Sequence, residues 1–485
     1  GDISIDADDT LQLSGQGVKT ETGSIVLVAG AIQVDSEISG GKVGLRATRT
    51  DISGTGQVTG DEVLLRARRN IGEESEHFDV DAVLFAAQTD RGDMWVEEQS
   101  DVEVGPVSAI FVSPDGVPPC AELIPVAFIP GLSGVRSGDF LDYDVKGDLT
   151  GNHVVAAGDA RLAVEGDVNH LDTLQAGGNI DIFTRGQYLG RRILAGGDID
   201  GRIGSRMNVS LIQGNRIEFN AGSVDMGRVD ARRDVEFFVH NDIRDNGSLI
   251  TSPDVQLVAG GDIGPHAPIN LDVDAITEIR ADNINIVNLN SGKTPVGIIS
   301  AANNLYLNFP NGVIVDRNGD ALNIEASQAW INAQGIGEKD DALDVYIEPG
   351  NLQVNGAGLG ENDTPKEYVF VNLNGTIGSV EDQQIDYIGD VPVPGLIILN
   401  GQMLGGNEEF LRKVKRAEAF MGEMDRMDYP KGVLGFPYFI TLSTPPTEPW
   451  SVFVEYILRG QANITADADL PMKKKETIQI GPGIE

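Results

Sequence analysis

The sequence holds a single cysteine, Cys120, among 485 residues, which excludes an internal disulfide, and no pairing of Cys with His has zinc-finger spacing. Cys120 lies in "GVPPCAELIPVAF", an apolar surround that predicts a buried, inert thiol rather than a nucleophile. Aromatic residues make up only 6%. Basic residues are also scarce: 36 Lys and Arg stand against 74 Asp and Glu, a formal charge of −38. Such a surface repels phosphate backbones, so nucleic acid and bare anionic membrane are poor partners. No window approaches the roughly eighteen apolar residues of a membrane-crossing helix, and no transmembrane segment is expected.

What is present is aliphatic and rich in turns. Hydrophobic residues make up 41% and glycine contributes 60 positions, enough for a slim core with many corners and too apolar for wholesale disorder. The chain enters at Gly1 directly on "GDISIDADD", which reads as strand, as expected of a fragment or a processed product whose export signals have been removed.

One strand is restated along the chain. "ISIDA" (3–7), "IVLVA" (25–29), "VGLRA" (43–47), "VLLRA" (63–67) and "VLFAA" (83–87) align on Ile5, Leu27, Leu45, Leu65 and Phe85, at steps of 22, 18, 20 and 20. In "DEVLLRA", Val63, Leu65 and Ala67 share one face while Glu62 and Arg66 take the other, the two-residue period of a strand with one side packed and one wet. The interval returns in "IEFNA" (217–221), "VEFFV" (235–239), "VQLVA" (255–259) and "ITEIRA" (276–281), and less regularly through 282–287, 304–309 and 321–326. A repeat of this length built from strands predicts a solenoid, because one coil cannot bury its own apolar edge whereas its copies above and below complete both ladder and core. Roughly seventeen coils at about 4.8 Å each would make a rod about 80 Å long.

The corners repeat as well. "NIGEESEHFDVDA" (70–82), "DIGPHAPINLDVDA" (262–275), "GIGEKDDALDV" (335–345) and "TIGSVEDQQIDY" (376–387) each carry Ile-Gly, a polar loop, and then an apolar residue, Asp, and Val or Tyr. The Ile enters the core, the Gly turns the corner, and the next strand restarts beyond the loop.

At these residues the chain resembles the repeats of filamentous haemagglutinin-like adhesins and exoproteins of the two-partner-secretion type, over about 1–87 and 145–390. The resemblance implies a right-handed parallel β-helix, secreted or held at the bacterial cell surface, exported by a partner pore and used in adhesion or contact with a host or matrix surface.

Four segments are expected: coils at 1–87, a non-repetitive insertion at 88–144, coils again at 145–390, and a capping or assembly segment at 391–485. The insertion is rich in proline and reads as a flap from one corner, or as a binding knob. In the last segment, "NEEFLRKVKRAEAFMGEMDRMDY" (407–429) predicts a helix stopped by Pro430. Beyond it, "KGVLGFPYFITLSTPP" and "PWSVFVEYIL" read as strands of a small α+β or β unit. The basic cluster "MKKKE" (472–476) reads as a solvated tail or as a contact for an acidic neighbour.

No catalytic, cofactor or metal residue stands out. A carbohydrate-active β-helix would need carboxylates, or a carboxylate with a base such as Arg or Lys, converging at one outward position of consecutive coils. The residues aligned with Arg66, namely Asp6, Val28, Arg46 and Ala86, form no acidic stack. Asp148, Asp159, Asp167 and Asp198 each follow Gly and read as corner caps. His77, His153, His170, His240 and His266 are scattered, and Trp95, Trp330 and Trp450 lie far apart. The glycine runs lack the Lys-Ser/Thr ending of a phosphate loop and the tandem pattern of calcium nonapeptides; calcium stays an alternative without assigned ligands. The sequence therefore favours a non-enzymatic, structural or adhesive protein that associates head to tail, with a polysaccharide lyase or hydrolase as the alternative.

Overall fold

The computed structural model describes residues 1–112, 127–319, 321–337 and 343–347, and beyond these only the backbone of short strands between 352 and 479. Among the described residues every regular element is a strand, and the fold is an all-β parallel solenoid. The period-two alternation dictates this: each strand has one apolar face, which only a neighbouring coil can complete. The chain divides into two compact units, Gly1–Val239 and His240–Glu485.

In the first unit, Ile3–Asp6 pairs in parallel with Ser24–Ala29, which pairs with Ile38–Ala47, then Val58–Ala67, then Phe78–Thr89. One inward column runs Ile5, Leu27, Leu45, Leu65, Ala87, Val135, Val154, Leu174, Ile193, Ile212. Leu45 and Leu65 are adjacent in it and fully buried. Burying each such side chain contributes about 1.5–3 kcal/mol.

The step after Leu65 differs from expectation. Phe85 stands against Val63, and Leu65 against Ala87, so this coil takes 22 residues rather than 20. The polar loop after Ile71–Gly72 lengthens the coil by two, and a shift of two returns every side chain to the same face. Phe85 therefore stays fully buried, whereas Val83 falls at a corner and is 66% exposed. The outward column through Arg66 correspondingly continues to Gln88, not Ala86.

The segment 88–144, expected to be non-repetitive, contributes Met94–Glu98, Val102–Val104, Val135–Ser137 and Leu141–Val145 to the parallel ladder. The departure is narrower. Pro106–Val107 pairs antiparallel with Leu132–Ser133, and Ile110–Val112 with Ala127–Ile129. This hairpin lies on the outside of the coils: Val107, Ile110, Val112 and Ile129 pack with Val26, Leu64 and Ala86, whose positions are outward. The face expected to be wet is thus dry there. Gly44 completes that outward column between Val26 and Leu64; a Cβ on it would come within 2.8 Å of the Ile129 side chain. Cys120 lies outside the described residues.

The Ile-Gly corners form as read. Ile71, Ile263 and Ile336 are buried, and Gly72, Gly264 and Gly337 have φ of +73°, +69° and +69°, a region costly for any residue with a Cβ. The strands beyond them begin at Phe78, Ile269 and Leu343. The corner at 376–387 is described only in its closing strand, Gln384–Tyr387.

The second unit repeats the scheme, with an inward column Leu257, Ile279, Ile299, Ile324, Val345. Another runs Ile269, Ile286, Leu307, Ile331. Tyr438–Thr441 and Phe453–Leu458 are strands; the helix expected at 407–429 lies outside the described residues.

Candidate functional site

Leu141–Val145, "LDYDV", turns Leu141, Tyr143 and Val145 inward, which sets Asp142 and Asp144 two residues apart on the outward side. His77 reaches them from the polar loop that follows the Gly72 corner. Its Nε2 lies 3.6 Å from one oxygen of Asp142 and its Nδ1 3.5 Å from one oxygen of Asp144. The ligating atoms of the three residues all fall within 4.8 Å of one another, a separation that one cation could bridge. The other oxygen of each carboxylate takes Arg161, whose Nη1 donates to Asp142 and, at 3.1 Å, to Asp144.

Parallel register extends the group. Asp79, Glu97 and Asp144 stand on three successive coils, and Trp95, Asp142, Arg161, Asp181 and Asp200 on five. A cavity of about 430 Å³ opens beside His77, lined also by Glu74, Glu76, Asp79, Glu97 and Asp144. A second, of about 650 Å³, is lined by Phe140, Arg161, Asp181, Phe183, Asp200 and Arg202 among others. Burial raises the Asp142 carboxyl above its ordinary value, opposed by Arg161 and reinforced by Asp144. Asp79 is likewise raised, by burial and then by Glu97, and Asp181 by burial and then by Asp200. Crowded carboxylates that resist ionising favour a bound cation or a shared proton.

The outward stack of carboxylates looked for at the Arg66 position therefore lies on a different face. It was hidden because Asp142 and Asp144 fall within 88–144, and because His77 and Asp142 stand 65 positions apart in the sequence. The alternation within "LDYDV" is the signal that could have found it. Of the five histidines, only His77 joins a group of three potential metal ligands among the described residues; His153 meets Asp172 at 3.7 Å. Trp95 lies 6.2 Å, ring to ring, from Phe140.

Asp148, Asp159, Asp167 and Asp198 act at corners, but each caps the next coil rather than its own turn. Asp148 accepts from the N–H of Asp167, and Asp167 from that of Gln187, both at 2.8 Å. Asp159 accepts from Asn179, Asn179 from Asp198, and Asp198 from Arg216. These are two separate ladders, which is why the four positions share no single spacing. Each link satisfies a corner N–H that the strand ladder leaves over.

No family model, curated protein or solved structure matches the chain.

Proposed function

We propose that this chain is an extracellular structural and adhesive surface protein, a rod-like subunit that stacks end to end. The observation that carries the reading is continuity: in the first unit one aliphatic column passes through ten residues from Ile5 to Ile212 in unbroken parallel register. Such a ladder gives stiffness without disulfides. Head-to-tail contacts between such rods that do not close on themselves build filaments. On this reading the chain works at the bacterial surface, exported like the haemagglutinin-like exoproteins its corners resemble.

Negative-stain microscopy of the purified chain over a range of concentrations tests the assembly. Filaments with a regular axial repeat are expected; dispersed particles at every concentration would refute it.

The His77–Asp142–Asp144 group beside Arg161 favours a second reading, a carbohydrate-active β-helix lyase or hydrolase, since paired carboxylates with a base are what such chemistry uses. Release of reducing ends or unsaturated products from a polysaccharide panel, lost in Asp142→Asn, would establish it; no release from any member would remove it.

A further inference from the structure

Charge is spread through this sequence at 23% of residues, yet it vanishes from one part of the second unit. Residues 283–292, 294–315 and 326–337 contain no Asp, Glu, Lys, Arg or His, and neither do 349–360. The first three stretches lie in successive coils, and the strand Leu352–Gly356 follows in the next. Ile284–Asn288 pairs with the middle of Lys293–Asp316, which pairs with Ile324–Ile336, which pairs with Leu352–Gly356. The charge gap in the sequence thus becomes one neutral face of the solenoid.

The alternation decides what that face carries. Leu305, Leu307, Ile331 and Ala333 are buried, which puts the residues between them on the outside. One outward column runs Asn285, Tyr306, Trp330, and the next Val287, Asn308, Asn332. Tyr306 is 50% exposed, and its ring lies 6.5 Å from that of Trp330 at a tilt of 45°. The Asn332 amide donates to Asn308 Oδ1 at 2.8 Å. This leaves the Asn308 NH₂ and the Asn332 carbonyl without a hydrogen bond among the described residues.

We propose that this face binds an uncharged polysaccharide, with Tyr306 and Trp330 as stacking surfaces on consecutive coils and Asn308 and Asn332 as partners for sugar hydroxyls. Aromatic rings offer flat apolar area to the C–H faces of sugar rings, and amides offer one donor group and one acceptor to hydroxyls, which need both. A charged ligand would gain nothing from a face without charge, and an anionic one would be repelled by a chain of −38. An apolar protein surface is a poor occupant as well, because docking it would strip water from the interleaved amides without replacing their hydrogen bonds. The inference deepens the adhesive reading above. It does not depend on filaments, so dispersed chain serves for its test.

Co-sedimentation of the chain with insoluble neutral polysaccharides (cellulose, chitin and a β-1,3-glucan), at low salt and at about 0.5 M salt where exposed charges are screened, tests it. At least one is expected to bind, equally at both salt concentrations. Tyr306→Ala and Trp330→Ala should weaken binding by about tenfold or more. Tyr306→Phe, which keeps the ring, should bind as the parent does, and so should Phe128→Ala, which removes an exposed ring from the first unit. Unchanged circular dichroism shows that the variants fold. Failure to bind any of the three, binding abolished by salt, or binding untouched in Tyr306→Ala would overturn the proposal. The first of these is also the outcome if another segment of this chain, or a second copy, covers the face.

Discussion

The carboxyl group of Glu98 lies wholly inside the first unit and accepts a hydrogen bond, 2.7 Å long, from the backbone N–H of Ala82. Among the described residues its other oxygen has no hydrogen-bond partner, and neither does the buried hydroxyl of Tyr143. Burial pushes the Glu98 carboxyl up to about 8, with Asp81 adding to the rise and the Ala82 bond opposing it. At neutral pH the folded chain holds this proton, whereas the unfolded chain releases it near the ordinary value of 4.5.

Stability should therefore fall as pH rises from about 4.5 to about 8, by about 1.4 kcal/mol per pH unit from this group, and stay low above that window. Glu98→Gln keeps the acceptor for Ala82 and removes the titration. Urea unfolding of both chains at pH 5 and pH 8.5 checks it: the variant should gain on the parent as pH rises, and a pH-independent difference would dismiss the buried proton.

Leu45 lies in the middle of the aliphatic column, fully buried, with Leu27 and Leu65 on either side. Leu45→Ala should cost about 2–5 kcal/mol. Because contacts in a solenoid are only between neighbours, hydrogen exchange should show the loss concentrated in residues 24–67, with the strands of the second unit unchanged.

Gly72 and Gly15 both have positive φ, +73° and +89°, but their surroundings differ. A Cβ at Gly72 would meet the Trp95 carbonyl oxygen at 2.1 Å, whereas one at Gly15 meets nothing. Gly15→Ala should cost only the conformational strain, about 1–2 kcal/mol. Gly72→Ala should cost more and disturb the corner that carries His77. Thermal unfolding ranks the two, and equal losses would contradict the geometry.

Arg161 is the counter-charge shared by Asp142 and Asp144. Arg161→Met keeps the stem and removes the charge. At neutral pH the loss should be about 1–2 kcal/mol, since the guanidinium side chain is 41% exposed and partly screened. The Asp142 carboxyl, already raised, would rise further, so the folded variant would hold a proton at a pH where the unfolded chain has lost it. Its deficit should therefore shrink as pH is lowered, and denaturant unfolding at pH 4 and pH 7 measures this. A deficit that grows at low pH would mean that the pairing is not what Arg161 supplies.

Several features could be read without any structure. The period-two alternation of "VLLRA", the coil-length interval and the Ile-Gly corners are properties of neighbouring residues, and they sufficed for the parallel solenoid and for the buried places of Leu45, Leu65, Ile71 and Ile263. The missing charge across 283–292, 294–315 and 326–337 was equally plain in the letters. Its meaning depended on those stretches becoming adjacent coils.

Tertiary structure alone decided which coil positions meet. Leu65 stands on Ala87 because a corner loop lengthened one turn by two residues, and a shift of two leaves the inward face unchanged, so no alternation rule can detect it. Leu64 is dry because a hairpin more than forty residues further along folds back over its outward face. His77 finds Asp142 and Asp144 because the ladder closes across that hairpin as though the intervening residues were absent. A strand's period is fixed by the geometry of its own backbone; its neighbours are fixed by how much chain each corner consumes before the next strand begins.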